Sequence, residues 1–131
     1  MSAAREDAQV EYALVLGSNL RPARHLRFAL RRIIDGREVL ACAGPLRTRD
    51  AGGGRFLNAA LHVRTREDAG ALRAALHAIE DAAERVRGSG RVSLDIDIIA
   101  SRDAEGQMQV HKPGDMERGY VRELLARIGF A

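Results

Sequence analysis

"GRVSLDIDIIA", residues 90–100, is the stretch on which the fold turns, because it reads as a buried β-strand that nevertheless carries two carboxylates. Leu94, Ile96 and Ile98 alternate with Asp95 and Asp97, and side chains two apart on a strand point to the same face. The apolar set belongs against a core. The two aspartates share the other face, about 6.5 Å apart along the strand. If both are ionised they repel by about 2 kcal/mol at an effective dielectric of about 20, and burial adds a desolvation cost. A positive charge between them would offset both. Hard oxygen ligands on a rigid strand suit magnesium, which takes one or two carboxylates and completes its shell from water and substrate phosphates. The spacing alone equally allows a solvent-facing strand with dispersed charges.

The segments on either side fix the architecture. Upstream, Asp68 is placed to cap a helix running to about Glu84, with Leu72, Ala75, Leu76 and Ile79 on one face. "RFLNAALHVRT" (55–65) alternates as a strand, which assigns Leu57, Ala59, Leu61 and Val63 to the core and Phe56, Asn58, Ala60 and His62 to the other face. "GPLRTRDAGGGR" (44–55), with four glycines and a proline, reads as an exposed, mobile loop. "REVLACA" reads as a strand that follows a helix from Pro22 to about Ile34. A first strand runs from about Val10 to Leu16 and stops at Gly17 and a Ser18-Asn19 turn. Downstream, "SRDAEG" turns into a short strand "QMQVH", a hairpin, followed by a Pro/Gly turn and a last helix from about Tyr120 to Ile128. The order βαββαβ, with a trailing hairpin strand and helix, predicts a single α+β domain over residues 1–131. The expected form is a ferredoxin-like sandwich, an antiparallel sheet with helices on one face.

Bulk composition agrees with one globular domain: 131 residues, 46% hydrophobic and 30% charged. No basic head precedes an apolar run, and no apolar stretch nears the roughly 20 residues of a membrane span, so a soluble, cytoplasmic protein without a membrane partner is expected. Cys42, the one cysteine, cannot form an internal disulfide and reads as a small buried thiol. Lys112 is the one lysine among 21 basic residues, in a chain of net charge +3. Arginine favours phosphate-bearing partners, although GC-rich codons produce the same bias. His25, His62, His77 and His111 lack the clustering of a zinc site. The first three read as surface residues. His111, beside the Lys112-Pro113 turn, is a candidate phosphate donor or general acid.

Arg85, Arg87 and Arg91 precede the aspartates in "ERVRGSGRVSLDID". Guanidinium groups beside a carboxylate pair make the arrangement phosphoryl transfer requires, with metal held by Asp and phosphate charge neutralised by Arg. Arg85 and Arg87 read equally as the solvated end of a helix, completing its macrodipole. A Walker-type loop is absent from the sequence. Phe56 and Tyr120, with Asn58, could sandwich and hydrogen-bond a flat heterocycle, or could simply pack. A basic RNA-binding module on a ferredoxin-like sheet would need aromatics where "LDIDII" offers aspartates, so no nucleic-acid partner is expected.

Together "ALVLGSNL", "FLNAALHV", "IEDAAERVRGSGRVSLDIDII" and the looser "HKPGDMERGYV" make the chain similar to the 6-hydroxymethyl-7,8-dihydropterin pyrophosphokinase family of folate biosynthesis. The resemblance covers most of the chain. It implies pyrophosphate transfer from ATP to the pterin hydroxymethyl group, with release of AMP. Asp95 and Asp97 would then hold two magnesium ions on the ATP phosphates, and Arg85 and Arg87 would contact the triphosphate. His77, Glu80, Arg91, His111 and Arg118 fall at nucleotide and phosphate contacts. Asn58 would hydrogen-bond the pterin, Phe56 and Tyr120 would stack on it, and Thr48 would complete its pocket. No obligatory protein partner is implied. The chain departs from the family pattern in a shorter Arg87–Leu94 loop without tryptophan, and in "RDAGGG" where a proline pair usually follows Thr48. The alternative is a diverged nucleotide- or pterin-binding protein of the same fold with little or no turnover.

Overall fold

The computed structural model describes residues 8–49, 52–83 and 93–130. Its elements are β1 (Val10–Ser18), α1 (Pro22–Ile33), β2 (Glu38–Arg49), β3 (Arg55–Thr65), α2 (Ala69–Ala82), β4 (Asp95–Arg102), β5 (Met108–Val110), α3 (Pro113–Met116) and α4 (Gly119–Arg127). The strands form one sheet in the order β2-β3-β1-β4-β5, and every neighbouring pair is antiparallel. This is the expected mixed α+β sheet architecture.

Strand β1 sits at the centre, and its period-2 alternation feeds two cores. Tyr12, Leu14 and Leu16 pack with Leu61, Val63, Ile96 and Ile98 beneath α1 and α2, which contribute Ala29, Ile33, Leu72, Leu76 and Ile79. Ala13 and Val15 point the other way and join Ala60, Ile99 and Ala100 under Val121, Leu124, Leu125 and Ile128, with Phe130 alongside. Of the strands, α4 lies nearest β2 and β3. As expected, α1 and α2 share one face and Asp68 caps α2, its side chain accepting from the Ala71 N–H at 2.8 Å. The terminal helix covers part of the opposite face.

The structure corrects four expectations. Ala60 and His62, assigned away from the core, are buried at 0% and 9% exposure. His62 is held between Glu11 Oε1, 2.6 Å from its Nε2, and the Ile128 carbonyl, 3.2 Å from its Nδ1. His25 is also buried rather than superficial, with Nδ1 2.5 Å from the Leu20 carbonyl. The segment Gly44–Arg49 is not a loop. It continues β2, whose register against β3 slips by one residue between Ala43 and Leu46. Pro45 is tolerated there because β2 is an edge strand and the missing N–H need not serve a ladder, and Gly44 meets the positive φ of 95°. Cys42, on the same edge strand, is exposed, because α1 packs over β1 and β3.

One polar network staples the far end of the sheet. Arg37 holds both carboxylate oxygens of Glu67, at 2.6 and 2.9 Å, while Thr65 donates to Glu67 Oε1 at 2.9 Å and the Tyr12 hydroxyl donates to the Glu67 carbonyl at 2.7 Å. The Arg37 hydrogen bond holds the Glu67 carboxyl below its ordinary value. Burial, with Asp68 and Glu67 nearby, pushes the Tyr12 hydroxyl up to about 12. A depressed carboxyl stabilises the fold above its unfolded value and loses that contribution as pH falls through its folded value. Glu67→Gln should therefore cost roughly 1 kcal/mol near neutrality, the pair being bidentate but partly exposed. In thermal melts, the gap in Tm between wild type and variant should close below pH 4.5.

Candidate functional site

Helix α4 leaves the end of its sheet face near Gly17 uncovered, and the register there lines up the chemistry. Leu46 pairs with Asn58, Asn58 with Gly17, and Gly17 with Asp95. In the neighbouring row Val15 pairs with Asp97. The aspartates thus lie on the face of Ile99, while Ile96 and Ile98 anchor β4 in the opposite core, as their alternation implies. A cavity of about 400 Å³ opens over these rows.

Seven of the side chains picked out in the sequence line it: Thr48, Phe56, Asn58, Asp95, Asp97, Arg118 and Tyr120. Thr48 pairs with Phe56 across the β2–β3 ladder. The buried Asn58 amide donates from Nδ2 to Thr48 Oγ1. Its Oδ1 lies over Gly17, where a Cβ would come within 2.8 Å of it. Only glycine leaves this amide undisturbed, so the "G" of "GSN" is a packing requirement of the site. Phe56 and Tyr120 present half-buried rings to the same space.

The carboxylate pair has the cation its spacing demands. Lys112 Nζ lies 3.1 Å from Asp97 Oδ1. Burial and the neighbouring Asp95 raise the Asp97 carboxyl above its ordinary value, opposed by the Lys112 ammonium, which is itself raised by that contact. Lys112, Asp115, Arg49 and Gly17 all line the cavity, and none was assigned a role from the sequence. Lys112 carried a usable signal: it is the one lysine of the chain, at the turn that leads into the closing segment.

His77 and His111 come together with Arg73 around an adjoining hollow of about 90 Å³ that shares Asp97 and Lys112 with the main cavity. The His111 ring lies 2.8 Å from Ser101 Oγ, and burial, with Arg73 nearby, lowers its basicity. Glu80 does not line either space. It is 3% exposed, and its Oε2 accepts the Ile96 N–H at 2.7 Å, which fixes the start of β4 from behind. Arg85, Arg87 and Arg91 lie outside the described residues.

Asp95 and Asp97 fit magnesium by donor chemistry, two hard oxygens on one strand face at a pocket wall. Among the described residues no group of three or more His, Cys, Asp or Glu side chains is placed to hold a metal. Also among the described residues, no helix is long and apolar enough to cross a membrane.

The family model of 7,8-dihydro-6-hydroxymethylpterin-pyrophosphokinase matches residues 13–129. No curated protein matches the chain.

Proposed function

The chain belongs to the 7,8-dihydro-6-hydroxymethylpterin-pyrophosphokinase family, and on that basis we propose that it transfers pyrophosphate from ATP to the hydroxymethyl group of 6-hydroxymethyl-7,8-dihydropterin and releases AMP. The family works in folate synthesis with ATP and magnesium. The observation that carries the reading for this chain is the single row in which an amide suited to a heterocycle edge, Asn58, and a carboxylate, Asp95, flank Gly17 under one cavity. A flat ring laid on Gly17 is within the span of both groups.

In this reading Asn58 hydrogen-bonds the pterin edge, held in orientation by Thr48, and Phe56 and Tyr120 stack on the ring. Asp95 and Asp97 hold magnesium, two ions by the resemblance, which when bound neutralises charge on the triphosphate oxygens. Arg85, Arg87, Arg91 and Arg118 add positive charge to the triphosphate, His77 and His111 border the nucleotide, and Glu80 keeps β4 in place. The pterin hydroxyl oxygen bonds to the β-phosphorus and its proton passes to solvent water, as the bond to the α,β-bridging oxygen breaks and AMP leaves. No side chain is modified covalently. Positioning and charge neutralisation supply the acceleration.

The test is product identity. Incubated with ATP, magnesium and 6-hydroxymethyl-7,8-dihydropterin, the protein should give AMP and the pterin diphosphate in equal amounts by chromatography and phosphorus NMR. ADP as product would contradict the reading. Binding of an ATP analogue without any AMP would select the non-catalytic binder instead.

A further inference from the structure

Lys112 does not fit a purely structural account. Its ammonium lies 3.1 Å from Asp97 Oδ1, and this is its one ion pair among the described residues. The side chain is 49% exposed, so the pair is not buried as a pillar of the core. The backbone beneath it is well anchored: the Lys112 N–H reaches the Ile99 carbonyl at 3.3 Å, and the Lys112 carbonyl accepts the Met116 N–H at 2.9 Å. A long flexible stem therefore rises from a fixed base at the cavity wall, with its charge resting on the carboxylate assigned to metal.

Both charges cannot stay where they are once the site fills. A divalent cation held by Asp97 would compete with the ammonium for the carboxylate and repel it. A nucleoside triphosphate entering with it would bring a polyanion into the cavity that Lys112 lines. We infer that Lys112 is a two-position cation, holding the metal's place on Asp97 in the ligand-free protein and moving onto the terminal phosphates of the bound nucleoside triphosphate when metal and nucleotide enter. In the first position it offsets part of the repulsion between Asp95 and Asp97. In the second it becomes a triphosphate-binding residue beside Arg118. The inference rests on the reading of the cavity as a metal–triphosphate site.

The two positions make opposite predictions for one substitution. Lys112→Met removes a competitor for Asp97, so manganese titrated without nucleotide and followed by electron paramagnetic resonance should bind about fivefold tighter, the scale of an exposed ion pair. The same variant loses a charged phosphate contact, so α,β-methylene-ATP with saturating magnesium should bind about tenfold more weakly by calorimetry. Lys112→Arg keeps the charge and should bring both affinities back to within about twofold of wild type. Lys112→Gln replaces the Met variant if the latter does not fold. Opposite shifts support the inference. Weaker binding of both ligands, no change in either, or tighter manganese with unchanged analogue overturns it. Neither titration contains a pterin. A wild type that binds the analogue but makes no AMP refutes the pyrophosphokinase reading with the Lys112 shifts intact, whereas parallel shifts refute the Lys112 inference with AMP formation intact.

Discussion

Asp97→Asn should lower kcat for AMP formation by about 10²–10³-fold, the range seen when one preorganised group that stabilises transition-state charge is removed, without lowering Tm. The two halves of this expectation come from one set of contacts. The Asp97 carboxyl is raised by burial first and by Asp95 second, with Lys112 opposing both. In the ligand-free fold it is thus a net burden. Its repulsion with Asp95 is worth about 2 kcal/mol at an effective dielectric of about 20, whereas a half-exposed pair with Lys112 returns at most about 1 kcal/mol. Neutralising the side chain while keeping its shape relieves a repulsion that outweighs the attraction it gives up, so thermal melts should show an equal or higher midpoint. Activity falls because an amide is a poorer ligand for a hard cation than a carboxylate. A variant that melts early and is inactive would say only that β4 had been disturbed. A stable variant with wild-type turnover would remove Asp97 from the site. Stable and inactive is the expected outcome, because the carboxylate pair costs the fold stability while it serves the cation.

The fold was legible where one periodicity ran uninterrupted. The alternation of Leu94–Ile98, the helical spacing around Leu72 and Leu76, and the Asp68 cap each specify one face of one element, and the structure places them accordingly. What was not legible depends on partners distant in sequence. Ala60 and His62 look like the outer face of a half-buried strand until α4, more than fifty residues later, is laid over them. Gly44 and Pro45 look like a loop because composition does not report that β2 is an edge strand, where a one-residue slip is tolerated. The site follows the same division. Asp95 and Asp97 announce themselves through their electrostatic cost, and Asn58 stands out as an amide in an apolar strand. Lys112 and Asp115 are ordinary charges in a turn until the β4–β5 hairpin and α3 bring that turn back over the aspartates. Glu80 was assigned to the nucleotide by resemblance, while its carboxylate is engaged with the Ile96 N–H, a backbone contact that no side-chain pattern reveals.

Gly17→Ala should produce the complementary defect, raising KM for the pterin by about 10–100-fold with a smaller change in kcat and a stability loss of about 1 kcal/mol from the broken Asn58–Thr48 hydrogen bond. The backbone conformation at Gly17 gives alanine no left-handed penalty, so strain is not the cause; the cause is space. An added Cβ falls 2.8 Å from Asn58 Oδ1, below any normal approach, and the next nearest atoms stand at 3.8 and 3.9 Å. The clash is therefore with one polar atom and is relieved if the amide turns. Turning it breaks the hydrogen bond from Nδ2 to Thr48 Oγ1 and moves both amide groups away from the plane in which a heterocycle on Gly17 presents its edge. The cost of one lost or misaligned hydrogen bond in a buried site is about 1–3 kcal/mol, which gives the stated range in affinity. Asn58→Ala should reproduce the KM defect at full size, since it removes the amide instead of displacing it. The double variant Gly17→Ala/Asn58→Ala should be no worse than Asn58→Ala alone, because the methyl then has nothing to displace. Steady-state kinetics on the three proteins separate this from a direct clash between the methyl group and the ring. A direct clash would persist without Asn58 and make the double variant worse than either single one. Non-additivity places Gly17 as a positioning residue that acts through Asn58, on the pterin side of the row whose other flank is Asp95.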